Sequence, residues 1–163
     1  MDQRIQVLAH NLVHYSMKVK EGEKVYVHYT GESTTTLARQ IIKEVYTVGG
    51  IPFAHYTDPK VTRELLLNCT KEQLQLMAEV DGKEMSQMDC YVGVRGADNI
   101  SELGDVPGEK MHLYDTYYMT PVHHDIRVPK TRWVVLRYPN NSMAQLSNTS
   151  LKPLKISTLM FVT

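Results

Sequence analysis

Histidine, carboxylate and arginine side chains have the strongest claim to chemistry in this sequence, and their spacing limits what each could do. His10 and His14 lie four residues apart, a separation that brings two imidazoles to one helix face and suits a zinc-class ion. No third ligand stands nearby in the sequence, so packed or solvated histidines are the expectation. His123, His124 and Asp125 are contiguous, and adjacent side chains diverge on either a strand or a helix. A shared ion there would need irregular backbone and further ligands. The chain has no HExxH, no CxxC and no GxSxG, which removes the usual helix-borne zinc site, the cysteine cage and the nucleophile elbow. No catalytic residue and no metal ligand is assigned on this reading.

Three polar turns remain. Thr30-Gly31-Glu32-Ser33 could cradle an anion at a helix start. It has one glycine and no lysine of the phosphate-binding type, and Glu32 would repel phosphate, so a tight turn with Ser33 as helix cap suffices. Arg95-Gly96-Ala97-Asp98-Asn99 offers a guanidinium for a carboxylate and an amide for either partner, although turn chemistry also explains it. Pro139 to Gln145 could line a pocket or simply turn the chain.

These loops need elements to hold them. Ile5, Leu8, Leu12 and Tyr15 recur at helical spacing. Val25 to Tyr29 reads as a strand, and Leu37, Ile41, Val45 and Val48 mark a second helix stopped by Gly49-Gly50. Ile51 to Tyr56 is a second strand, followed by a brief helix through Val61, Leu65 and Leu66. Thr70 and Gln73 form a capping box that opens another helix through Leu74, Met77 and Ala78. Cys90 to Val94 is a third strand, Pro107 to about Met119 is helical, and Trp133 to Tyr138 is a fourth strand. The alternation predicts an α/β fold: a largely parallel sheet of about four strands with flanking helices covering both faces. Its site belongs at the carboxyl ends of the strands.

The chain has 163 residues, enough for one substantial domain. Eighteen basic and eighteen acidic residues cancel, which argues against charge-driven binding to nucleic acid or a membrane surface. Two cysteines outside any pair, no signal-peptide pattern and no apolar run of spanning length lead to the expectation of a soluble, cytoplasmic protein.

The strings LAHNLVHYSMKVKEGEKVYVHYTGEST, KEVYTVGGIPFAHYTDPKVTRELL, MDCYVGVRGADNISELGDVPGEKM and HHDIRVPKTRWVVLRYPNNSMAQLS occur in this order. From about residue 4 to residue 150 the chain resembles the thermophilic-type metalloaminopeptidases, the group of aminopeptidases T and S. The resemblance implies a cytoplasmic exopeptidase that removes N-terminal residues from peptides with a divalent metal of the zinc or cobalt class, usually as a homodimer. It also implies that the metal ligands lie in a C-terminal half to which no position here corresponds. This chain is then expected to bind no catalytic metal and to be inactive alone. Arg95, Asn99 and Gln145 are expected to face the cavity or an interface.

Residues 1–150 are thus read as the family's N-terminal α/β domain, and 151–163 as a tail foreign to it. After Ser150 the family would continue with a string resembling LEAFEDFYFDVCNL, whereas this chain reads LKPLKISTLMFVT. Deleting one G after the leucine codon in one possible coding of the family string yields every residue from Leu151 to Thr163. The expectation is a one-base frameshift, with a poorly ordered tail. The alternative function is a stand-alone α/β module binding a small anionic ligand near Arg95 and Ser33. A third is a small metalloenzyme built on His123, His124 and Asp125.

Overall fold

A computed structural model describes residues 2–96 and 101–139. The first helix, α1 (Gln3–Asn11), continues as a π-helical turn over Leu12–Ser16. Strand β1 (Lys24–Thr30) leads through a short 3-10 turn (Glu32–Thr34) into α2 (Thr35–Thr47) and then β2 (Ile51–Thr57). Helices α3 (Pro59–Leu67) and α4 (Lys71–Met85) precede β3 (Cys90–Arg95). Helix α5 (Gly108–Tyr114) runs on as a π-helix over Asp115–Arg127 and closes with α6 (Val128–Lys130) before β4 (Arg132–Arg137).

Local chemistry sets most of these boundaries. Asp58 accepts from the Lys60 amide at 3.0 Å with Pro59 in the first turn of α3. The capping box of α4 is complete: Thr70 and Gln73 exchange backbone-to-side-chain bonds of 3.2 Å. Helix α2 ends in a Schellman motif, in which the Gly50 amide reaches the Val45 carbonyl at 2.9 Å and the Gly49 amide reaches Tyr46 at 3.0 Å. Gly49 has φ +80°, a conformation that needs glycine.

The four strands form one parallel sheet in the order β2-β1-β3-β4, as the alternation of elements implies. Its two faces differ. Val25, Val27, Cys90, Val92 and Val94 point one way and pack against Leu8, Leu12, Leu37, Ile41 and Val45 of α1, its π turn and α2. The opposite face carries Tyr26 and Tyr91 and meets Ala78, Met85 and Val122. Coverage on both faces holds for the central strands, while Trp133 and Val135 on edge strand β4 remain half-exposed.

The structure corrects three local expectations. Tyr15 is exposed, and Val13 and Met17 are buried in its place, because the π turn breaks the 3.6-residue period of the apolar stripe. Ser33 does not cap α2: it lies inside the 3-10 turn and its hydroxyl donates to the Gly96 carbonyl at 2.9 Å. The helix expected to end near Met119 continues to Lys130, with Pro121 accommodated in π-helical backbone. The 151–163 tail lies outside the described residues. Among the described residues no helix is long and apolar enough to cross a membrane.

Candidate functional site

The strand register builds rows of side chains on the polar face. Phe53, Tyr26, Tyr91 and Trp133 align across the sheet, then His55, His28, Gly93 and Val135, then Thr57, Thr30, Arg95 and Arg137. Moving toward the carboxyl ends, the face therefore turns from aromatic to imidazole to hydroxyl and guanidinium. A cavity of about 430 Å³ opens there, between the strand ends and the helices from α3 to the π-helix. Strand order reverses between β1 and β3, and ligand crevices of open α/β sheets form at such a switch point.

Arg95 and His28 organise the cavity wall. Gly93 leaves room for Arg95 to fold back, since a Cβ at Gly93 would come within 3.2 Å of the guanidinium. Arg95 Nη2 donates to the Tyr91 hydroxyl at 3.0 Å, and Nη1 lies 3.2 Å from His28 Nδ1. A guanidinium only donates, so Nδ1 is the acceptor and His28 carries its proton on Nε2. From there it donates to Thr57 Oγ1 at 2.7 Å, and the Tyr91 hydroxyl donates to Nδ1 at 2.8 Å. Burial, reinforced by the Arg95 charge, pushes His28 down to about 3. The ring is neutral at pH 7 and serves as a fixed hydrogen-bonding group.

The rest of the wall comes from the helices. His55 stacks on Tyr26 with ring centroids 4.3 Å apart and pairs with Glu84 of α4. Tyr118 donates to Asp81 at 2.6 Å, and burial together with that carboxylate raises the phenol far above its ordinary range. His123 is buried and accepts from Arg127 Nε at 2.8 Å. Burial first, and then Arg127, lower it to about 4. The Arg127 guanidinium lies over the faces of Tyr91 and Trp133, 4.7 and 5.1 Å from their centroids. That cation–π contact compensates for Nη1, which is buried and has no hydrogen-bond partner among the described residues.

Arg95 lines this cavity, while Asn99 and Gln145 lie outside the described residues. Ser33 does not line it, and its hydroxyl is committed to Gly96. His123 turns inward, whereas His124 and Asp125 are exposed, so the three do not converge on one ion. The cavity does not fit a divalent metal. His28 Nδ1 and His123 Nδ1 are already acceptors for arginine, Asp81 and Glu84 have their own partners, and Arg95 supplies positive charge. What the arrangement offers is directed hydroxyl and guanidinium donors in an aromatic pocket, which suits binding a polar group. His28, His55, Thr57 and Tyr91 escape a motif search. For the first three the signal is the tripeptide His-Tyr-Thr, which ends both β1 and β2 and falls in register at His28–His55 and Thr30–Thr57, while Tyr91 of β3 carries no such mark.

The structure brings to His10 and His14 a carboxylate that their sequence neighbourhood does not supply. Glu44 of α2 places Oε2 3.5 Å from both His10 Nδ1 and His14 Nε2. Helix α2 packs beside α1, so thirty residues of sequence separation vanish in space.

The sequence model of the thermophilic metalloproteases matches residues 1–159, and the chain belongs to that family. The structure described as wild-type AmpT from Thermus thermophilus superposes with a TM-score of 0.73 at 15% identity, covering 98% of this chain and 42% of that one. At that identity the likeness establishes a shared fold, and the present chain spans less than half of the Thermus protein. A protein described as a LacI-family transcription regulation repressor from Corynebacterium glutamicum reaches only a TM-score of 0.34 at 15% identity, covering 82% of this chain and 60% of its own. No curated protein sequence matches.

Proposed function

We propose that this chain is the amino-terminal α/β unit of a metal-dependent aminopeptidase that removes N-terminal residues from peptides. The observation that carries the reading is the family match over nearly the whole chain. In this reading the catalytic metal, of the zinc or cobalt class, is held by residues outside these 163. The cavity at the strand ends contributes Arg95 and its hydroxyl neighbours to the surface that peptide or the second domain meets. A cytoplasmic homo-oligomer with a peptide substrate completes the proposal.

The test uses the 163-residue chain and a version extended through the alternative reading frame after the Leu151 codon. Each is assayed on aminoacyl-coumarin substrates with free and acetylated amino groups, with zinc or cobalt added. Metal-dependent release from the free-amine substrate is expected of the extended protein alone. Robust turnover by the short chain would overturn the placement of the ligands. DNA sequence lacking any downstream frame that continues into the family's ligand-bearing C-terminal half would remove the frameshift.

A further inference from the structure

We propose that His10, His14 and Glu44 form a second divalent-metal site, on the outer surface of the helical layer, that staples α1 to α2. It lies on the apolar side of the sheet, where α1 and α2 pack, and shares no residue with the polar cavity.

The geometry begins with the backbone. His10 is in the last turn of α1 and His14 is inside the π turn that follows. The rings stack with centroids 3.9 Å apart and planes 24° from parallel. Across the helix interface, Glu44 is largely buried and offers one oxygen to both rings at 3.5 Å, with side-chain exposures of 48%, 31% and 18% for His10, His14 and Glu44. All three ligand atoms lie within 4.8 Å of one another.

Those distances are close to what zinc requires. With metal–ligand bonds of 2.0–2.2 Å, the edge of a tetrahedron between ligand atoms is about 3.4 Å. Two of the three edges therefore match within about a tenth of an ångström, while the stacked rings, 24° from parallel, must rotate to turn a lone pair of each toward one ion. Two imidazoles and a carboxylate form a donor set that selects zinc, nickel, copper or cobalt over magnesium and calcium. Three protein ligands leave a fourth position, which the exposed histidines open to solvent. A surface cluster of two histidines and a glutamate held together by charge alone would contribute less than about 1 kcal/mol and would not respond to metal identity. That difference makes the proposal testable.

Zinc chloride is titrated calorimetrically into the full 163-residue chain, and cobalt chloride is followed by its visible ligand-field absorption. Thermal unfolding is recorded with zinc and with magnesium. The expected result is one equivalent of zinc or cobalt, and a rise in Tm of about 5–10 °C at a hundredfold excess over Kd, with no rise in magnesium. His14→Ala and Glu44→Gln should each weaken binding about tenfold or more, and His10→Ala, at the most exposed of the three positions, gives the same readout if either of those variants fails to fold. His124→Ala should bind like the parent chain. Absence of saturable binding would overturn the proposal. So would binding that survives His14→Ala and Glu44→Gln, or binding lost in His124→Ala. Peptidase activity does not enter this test, so its outcome is independent of the aminopeptidase reading.

Discussion

Acid should destabilise this domain through two buried imidazoles, and the size of the effect follows from their environments. His28 is lowered to about 3 and His123 to about 4, against 6.5 for an unburied histidine. Between those values the unfolded chain binds protons that the folded chain refuses. Stability therefore rises with pH across this window and is lost as pH falls from about 6.5 toward 3–4. Going from pH 7 to pH 5, each histidine costs about 2 kcal/mol, so the pair costs about 4 kcal/mol. Total stabilities of about 5–15 kcal/mol make that a large fraction. Urea unfolding followed by far-ultraviolet circular dichroism at pH 7, 6 and 5 measures the slope. The discriminating protein is the double variant His28→Asn, His123→Asn. An asparagine oxygen can stand near the Nδ1 position, accepting from Arg95 and Arg127, but does not titrate. The double variant should lose most of the slope, leaving the carboxylates' contribution. A slope unchanged in the double variant would refute the claim that these rings are held neutral by burial beside arginine.

Two further substitutions probe the same wall. Gly93→Ala places a Cβ 3.1 Å from the Tyr91 ring and 3.2 Å from the Arg95 guanidinium, so both must give by a few tenths of an ångström and strain the hydrogen bond between them. A loss of about 1–3 kcal/mol is expected in chemical denaturation, and an unchanged midpoint would show that Arg95 does not depend on that space. Tyr91→Phe removes the oxygen that accepts from Arg95 and donates to His28. It should cost about 1–3 kcal/mol, because two polar partners lose a bond in a part-buried setting, and a neutral result would mean water replaces the hydroxyl.

Much of the architecture was legible because it is encoded locally. The Thr70–Gln73 box, the Gly49-Gly50 stop and the apolar periods of α2 and β3 depend on residues within a turn or two of each other. Where local rules misled, the cause was a non-local partner or an unusual backbone. Ser33 resembles a cap, but its hydroxyl bonds Gly96, 63 positions away. Tyr15 continues a helical stripe on paper, but the π turn rotates it into solvent.

By itself, the sequence determined the class of fold, the run of elements and the family, since periodicity, caps and ordered motifs are properties of short stretches of chain. Only the tertiary structure decided which side chains meet. Strand register brings His28 beside Tyr91 and Thr57, and helix packing sets Glu44 against His10 and His14. Those meetings depend on sheet order and on how helices lie across it. Such long-range closure is governed by burial of the whole apolar face, and no local spacing records it.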